Sequence, residues 1–199
     1  PLARFTRTNA DGSVSVFVGP EGGRVEGTGG TAATVAPGTF PDGAIVTIKA
    51  VAEAAFPVQL SPENRAVFSY AGGFEIDFGG AVPTRYVDVS IPPAPGDTAD
   101  DQWLVSQVVE VNGQLMLNMA DTARLIDGRV ATSSPPCPGV LSQGVYGVHK
   151  SSRIVGKTFG TLAPQFASGG VMQPLEFRAV ADATRSEERR VGKEGSERC

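Results

Sequence analysis

The sequence predicts an all-β protein built as an antiparallel β-sandwich. Three observations favour this fold class. Glycine and proline are abundant, with 25 and 15 residues in a chain of 199, short apolar segments alternate with polar residues, and turn-forming dipeptides separate these segments. Short alternating strands between Gly and Pro turns are typical of sandwiches and barrels. A chain of this length can bury a core without a metal or a disulfide.

Residues 22–51 are the stretch around which the chain is organised. They predict two strands, at 31–36 and 44–51, joined by a loop in which Pro37-Gly38 and Pro41-Asp42-Gly43 have turn chemistry. In the second strand apolar residues occupy every other position, the period that buries one face of a strand. This stretch predicts a scaffold and contains no catalytic group.

The remaining strands follow from the same alternation, and two hairpins are the clearest signals. Asn112-Gly113 and Asp127-Gly128 are the dipeptides that most favour two-residue type I′ turns. Two such turns fifteen residues apart predict an antiparallel meander. The turn Ser61-Pro62 predicts a loop or a single helical turn. The other predicted strands are 3–8, 13–18, 74–78, 87–91, 103–111, 114–119, 125–126, 129–130 and a closing strand at 145–149.

The patterning divides the chain into four expected parts. Residues 1–19 read as the end of a preceding β module, 20–149 as the sandwich module, 150–184 as a partial following module or linker, and 185–199 as a tail. Residues 185–194, RSEERRVGKE, resemble a translated sequencing adapter, which implies an artefactual, disordered tail. Without that tail Cys137 is the only cysteine, so no internal disulfide is expected.

Charge and hydropathy exclude several classes of partner. The net charge of −4 argues against nucleic acid and anionic membranes, which attract cationic surfaces. No run of eighteen apolar residues exists, so no membrane insertion is expected. The chain has neither a starting Met nor a signal peptide, and we expect it to be a fragment of a longer reading frame. A monomer is expected.

With the strands placed, residues 22–51 resemble the ZU-type β-sandwich domain of zonula-occludens proteins, netrin receptors and ankyrins, which also occurs in bacterial extracellular multidomain proteins. The resemblance is carried by the glycines, prolines and β-branched residues of two turns and two strands. The matching residues are Gly22-Gly23-x-Val25, Ala33-x-Val35, Pro37-Gly38-Thr39-Phe40-Pro41-x-Gly43 and Val46-Thr47-Ile48. The segment 86–148 is similar to the part that follows in such proteins. The resemblance implies a fold and an extracellular or cell-surface setting.

Some relatives cut themselves at a His-Phe-Ser step near the end of the second part. Here the corresponding region reads Pro136-Cys137-Pro138-Gly139. Self-cleavage is therefore not carried over to this chain.

The acidic loop 95–101 offers the one metal candidate. Asp97, Asp100 and Asp101 precede Trp103, and calcium prefers such oxygen-rich loops, although the spacing fits no helix-loop-helix site. A solvated turn is the alternative, and no cofactor other than this structural calcium is expected.

Catalysis has few candidate residues. His149 is the only histidine, so a Ser-His-Asp triad would have to use it, yet no Gly-x-Ser-x-Gly elbow is present. Cys137 lies between prolines without a nearby base, which favours a small buried thiol over a nucleophile. We therefore expect no catalytic residue.

Aromatic residues separate the two remaining hypotheses. Trp103, Tyr70, Tyr86 and Tyr146 could stack on a sugar if they were exposed, but Trp103 lies in register with apolar residues and is expected in the core. The first hypothesis is a non-catalytic structural, spacer, adhesion or interaction module of a larger secreted or cell-surface bacterial protein. The alternative is a carbohydrate-binding module of an extracellular enzyme, with a polysaccharide as ligand.

Overall fold

In the computed structural model, which describes residues 6–135 and 137–151, eleven antiparallel strands form one continuous sheet. The predicted all-β fold is confirmed. The strands are β1 (Thr6–Thr8), β2 (Val14–Val18), β3 (Gly23–Glu26), β4 (Ala32–Val35), β5 (Ala44–Ala50), β6 (Phe68–Asp77), β7 (Asp88–Ile91), β8 (Trp103–Val111), β9 (Gln114–Ile126), β10 (Arg129–Thr132) and β11 (Gly144–Ser151). Two 3₁₀ turns, Thr28–Gly30 and Glu53–Ala55, and the helical turn α1 (Pro62–Arg65) complete the secondary structure.

The order of strands across the sheet is β1-β2-β5-β6-β11-β8-β9-β10-β7-β4-β3. The two strands of the organising stretch, β4 and β5, are therefore not neighbours: β4 pairs with β3 and β7, and β5 pairs with β2 and β6. Because β1 and β2 join the sheet through β5, residues 6–18 belong to the same sheet as the organising stretch.

The sheet folds over so that strands from its two ends face each other, as in a sandwich. Strand β3 lies against β5 although neither pairs with the other. Likewise, a side chain on Gly72 of β6 would meet Ile91 of β7 at 2.9 Å. The apolar faces of both halves share one core. Its largest fully buried side chains are Trp103, Tyr146, Phe40, Phe74, Phe78, Ile48 and Ile76.

Both predicted hairpins are confirmed. Asn112 and Gly113 have φ of 53° and 77°, and Asp127 and Gly128 have φ of 50° and 74°, the positive values that a type I′ turn requires. The hairpins share β9, which pairs with β8 on one side and with β10 on the other. The predicted meander is thus β8-β9-β10. The helical turn after Ser61 is also confirmed, and the Ser61 hydroxyl accepts the Asn64 N–H at 3.3 Å.

Strand β6 begins six residues before the predicted strand 74–78. Gly72 and Gly73, which precede the predicted strand 74–78, lie inside the observed strand. A side chain on Gly73 would meet the Tyr70 hydroxyl at 2.3 Å and the Tyr146 carbonyl at 2.7 Å. Glycine is therefore needed here for the close approach of two strands, a role that a strand interior can give it.

Strand β11, which contains the predicted closing strand 145–149, lies in the middle of the sheet, between β6 and β8. Four consecutive residues from Tyr146 to His149 are buried, so both faces of the strand are covered. Burial on both faces is typical of a central strand.

Strand β9 contains a β-bulge. Val105 is opposite Asp121, whereas the next residue of β8, Ser106, is opposite Met119, which leaves Ala120 as an extra residue. A bulge reverses which face of the strand each later residue occupies. Asp121 and Ala123 therefore share the core face with Val105 and Trp103, whereas the odd-numbered residues before the bulge lie on the outer face.

The predicted tail 185–199 and the predicted partial module 150–184, apart from Lys150 and Ser151, lie outside the described residues, as does the start of the strand predicted at 3–8. Among the residues that are described, no helix is long and apolar enough to cross a membrane.

Candidate functional site

The acidic loop before β8 closes around a lysine ammonium. Asp97 Oδ1 and Asp101 Oδ2 each lie 2.8 Å from Lys150 Nζ. Register places Lys150 of β11 directly opposite Trp103 of β8, and the ammonium lies 5.7 Å from the centre of the indole ring. The loop is therefore held to the end of the sheet by two ion pairs and a cation–π contact.

Backbone donors complete the coordination of the two carboxylates. Asp97 Oδ2 accepts the Ala94 N–H at 2.8 Å, and Asp101 Oδ2 accepts the Thr98 N–H at 2.7 Å. The hydrogen bond from Lys150 lowers the pKa of Asp101, and the hydrogen bonds to the two carboxylates raise the pKa of Lys150. Asp101 and Lys150 are thus stabilised in their charged forms.

The ion pairs with Lys150 involve two of the three predicted calcium ligands, Asp97 and Asp101. The structure brings Asp97 and Asp101 together, but Asp100 is exposed and lies outside the cluster. The Lys150 ammonium lies where the two carboxylates converge. Within residues 6–135 and 137–151, no group of three or more His, Cys, Asp or Glu side chains is placed to hold a metal ion.

His149 lies on the outer face of the sheet beneath the segment that follows β5, and it is only 4% exposed. The rings of Phe56 and Tyr70 pack against the imidazole with centroid distances of 5.8 and 5.6 Å. Burial lowers the pKa of His149 below 6.5, partly offset by the charge of Glu53. The Tyr70 hydroxyl donates to the Val51 carbonyl at 2.6 Å, and burial raises its pKa to about 12.

The cavity beside this histidine is too small for a substrate. It measures about 10 Å³ and is lined by Glu53, Phe56, Val58, Gln59, Leu60, Tyr70 and His149. That volume holds at most one water molecule. The imidazole among the aromatic rings packs the segment onto the sheet.

Asp121 is a buried carboxylate that anchors a loop. This role was not predicted from the sequence. Asp121 is 4% exposed. Its Oδ1 accepts the Thr122 N–H at 2.6 Å and the Ser134 N–H at 3.0 Å, and its Oδ2 accepts the Gly139 N–H at 2.5 Å. One side chain thus holds both ends of the segment 134–139 to β9.

Two influences act in opposite directions on this carboxyl group. Burial raises the pKa of Asp121, whereas the hydrogen bonds from Ser134, Gly139 and Thr122 lower it, and the net direction is upward. Burial also raises the pKa of the neighbouring Asp88, and the charge of Asp121 adds to that effect.

Cys137 belongs to the segment that Asp121 holds. It is half-buried, and the structure gives it a disulfide bond and not a free thiol. The expectation of a small buried thiol is therefore wrong, and so is the expectation that no disulfide forms.

The aromatic residues offer little exposed surface. Trp103 is completely buried, as predicted, and Tyr146 is 1% exposed with its ring stacked on Phe74 at 5.0 Å. Tyr86 is the most exposed of the four candidates, at 36%. A sugar platform centred on Trp103 is therefore incompatible with the fold.

A polar groove of about 430 Å³ lies on the outer side of β2, β5 and β6. Lys49 Nζ lies at its centre, 3.1 Å from both Asp11 Oδ2 and Glu75 Oε2. Hydrogen bonds from Ser13 and Lys49 lower the pKa of Asp11 to about 2, and hydrogen bonds to Glu75 and Asp11 raise the pKa of Lys49. The groove is lined by Asn9, Ala10, Asp11, Ser13, Ser15, Thr47, Lys49, Glu75 and Asp77.

The groove presents the charged groups of Asp11, Lys49 and Glu75 to solvent, so it could hydrogen-bond a polar ligand. No sequence pattern identifies it, because its residues come from three separate segments that only strand pairing brings together. The Lys150 cluster was partly recognisable, since the acidic residues are adjacent in sequence, but their partner lies about fifty residues later.

No protein-family model matches this chain, and no curated protein matches it significantly.

Proposed function

We propose that this chain is a non-catalytic structural or interaction module of a larger secreted or cell-surface bacterial protein. The proposal rests on the role of Asp121, whose carboxylate accepts hydrogen bonds from three backbone N–H groups. A buried carboxyl group with a raised pKa is often a catalytic acid or base, but here its two oxygens are engaged by three backbone N–H groups. Its role is to hold a loop.

Lys150 and His149, whose pKa values are also shifted, have structural roles of the same kind. Lys150 holds the acidic loop through Asp97 and Asp101, and His149 packs a connecting segment onto the sheet through two aromatic rings. A scaffold in which three connecting segments are fixed by polar side chains suits a module that spaces or presents other domains. The extracellular setting rests on the resemblance of residues 22–51 to ZU-type domains.

The experiment is an activity and integrity test of the full chain. We expect no turnover of ester, peptide or glycoside substrates and an unchanged mass on storage. Turnover that is abolished by Asp121→Asn or His149→Phe in a folded variant would overturn the proposal.

A carbohydrate-binding module is the second candidate, and the polar groove favours it. Hydroxyl groups of a sugar could replace water on Lys49, Asp11 and Glu75. Isothermal titration against soluble polysaccharides tests this candidate with Lys49→Met as the variant. Arg24→Met is the matched control, because Arg24 also forms an exposed ion pair, with Glu26, outside the groove. Binding that Lys49→Met alone removes would favour this candidate over the first.

A further inference from the structure

We propose that the β8–β9 hairpin mediates formation of a dimer, in which β9 of one chain pairs antiparallel with β9 of a second copy. This inference does not depend on the proposed function, because it rests on the geometry of one strand edge. It replaces the monomer expected from the sequence.

The end of the hairpin extends beyond the rest of the sheet. Strand β11 pairs with β8 only as far as Gln107, and β10 pairs with β9 only from Ala123 onward. Within the described residues, β9 therefore has no strand neighbour on its outer edge from Gln114 to Ala120.

The turn geometry identifies which backbone groups face that open edge. In a two-residue hairpin the residues flanking the turn, here Val111 and Gln114, exchange hydrogen bonds, and bonded pairs then alternate along the strands. The N–H and C=O groups of Leu115, Leu117 and Met119 consequently point away from β8. They form a ready template for another strand.

The bulge gives this edge an apolar outer face. Leu117 lies opposite Val108, which alternates with the core-facing residues of β8, so the side chains of Leu115, Leu117 and Met119 are turned away from the core. Leu115 is 49% exposed. Leu117 and Met119 are half-buried.

The part of β9 without a neighbouring strand, residues 114–120 (the free stretch), has no charged side chain, unlike the two outermost strands of the sheet. Strand β1 carries the exposed Arg7, and β3 carries the ion pair between Arg24 and Glu26. Such charges protect an edge from pairing with another chain. Residues 114–120, QLMLNMA, have no charged side chain, so two copies can approach without repulsion along the strand.

The symmetry of the stretch selects a second copy as the occupant. A two-fold axis at Leu117 places Leu117 opposite its copy and Leu115 opposite Met119, which makes one continuous apolar row. In this register Gly113 of the second copy faces Asp121, so the turn of that copy ends where the edge of β9 is next occupied, by the hydrogen bond from the Ser133 N–H to the Thr122 carbonyl. The nearest charge on the outer face is Glu110 on β8. The two copies of it are separated by three strand spacings across the sheet, about 14 Å, in addition to their offset along the strands, which exceeds the Debye length of about 10 Å in 0.1 M salt.

The contact is smaller than a standard interface of about 800 Å² per partner, so we expect a dissociation constant in the micromolar range. Sedimentation equilibrium of the full chain should show a mass that rises with concentration from 20.6 kDa toward twice that value. Leu117→Lys should weaken association about a hundredfold or more, because each dimer loses two buried leucines and gains two facing charges.

Ile126→Lys is the matched control, since Ile126 is a 44% exposed residue of the same strand outside the free stretch. It should leave association unchanged. Hydrogen exchange provides a second measurement that needs no variant. The amides of Leu115, Leu117 and Met119 should exchange more slowly as the chain is concentrated, whereas the amide of Met116, bonded to β8, should be slow throughout.

Three results would overturn the proposal. They are a mass that stays at one chain up to millimolar concentration, equal weakening by the two lysine variants, and association without slower exchange of the three amides.

Discussion

Replacing Asp121 with asparagine tests how a single carboxylate holds the loop 134–139. The substitution keeps the shape of the side chain but exchanges one acceptor oxygen for an NH₂ group. If the remaining oxygen keeps the Thr122 and Ser134 bonds, the NH₂ group faces the Gly139 N–H. The variant therefore loses a charge-assisted hydrogen bond and leaves a buried donor without an acceptor.

The expected cost is about 2–3 kcal/mol. A hydrogen bond to a charged group contributes about 1.5–3 kcal/mol, and an unsatisfied buried donor costs about 1–3 kcal/mol. Part of this loss is offset because a neutral amide is easier to bury than a carboxylate. For a chain of this size the melting temperature should fall by about 5–10 °C. Urea unfolding followed by circular dichroism measures the difference.

Asp88→Asn is the control, because it makes the same chemical change at a neighbouring carboxyl group that is accessible to solvent and only partly desolvated. It should leave stability unchanged or slightly higher, since it removes a like charge near Asp121. Equal losses from the two variants, or a loss below about 0.5 kcal/mol for Asp121→Asn, would refute the anchoring role.

The pH dependence provides an independent test. Because burial raises the folded-state pKa of Asp121, the folded chain takes up this proton before the unfolded chain does. The stability of the wild type relative to Asp121→Asn should therefore increase as pH falls through the folded pKa toward 3.8. The opposite slope would show that the three N–H donors outweigh burial.

Three further predictions concern the turn, the buried histidine and the lysine cluster. Gly113→Val should cost about 1 kcal/mol or more, because a β-branched residue resists positive φ; an added Cβ would meet no atom within 4 Å, so an unchanged melting temperature would contradict the turn assignment. Since burial lowers the pKa of His149, the wild type should lose stability as pH falls below 6.5, whereas His149→Phe should not, and parallel pH profiles of unfolding would contradict this. Lys150→Met should cost about 2 kcal/mol in urea unfolding, because the buried Asp97 loses its cation, whereas Lys49→Met should cost about 0.5 kcal/mol, because its partners Asp11 and Glu75 are exposed; equal costs would contradict the difference in burial of the carboxylate partners.

Local chemistry predicted the turns well. The positive φ of Asn112 and Asp127 follows from two dipeptides whose preference is intrinsic, and the Ser61 cap follows from its hydroxyl group. Strand order is not local. No pattern in β4 and β5 indicates that these sequential strands pair with different neighbours, because the same alternation serves any antiparallel partner.

The polar sites were harder to predict than the strands for the same reason. Asp121 has no distinguishing sequence context, since it follows Met119-Ala120 in an ordinary strand pattern. Its partners, Ser134 and Gly139, lie beyond another strand. Lys150 meets Asp97 only because β11 enters the sheet beside β8, and the prediction of a closing strand at 145–149 did not specify its neighbours.

The bulge at Ala120 explains which residues of β9 face the core and which face outward. A strict alternation along the strand would predict both sets wrongly. A regular strand would place Leu115, Leu117 and Met119 on the same face as Asp121 and Ala123, and all of them would contribute to the core. The extra residue instead leaves Asp121 facing inward, where it reaches the loop 134–139, and turns the three apolar residues outward on a free edge. The same inserted residue therefore creates both the buried anchor and the proposed dimer surface.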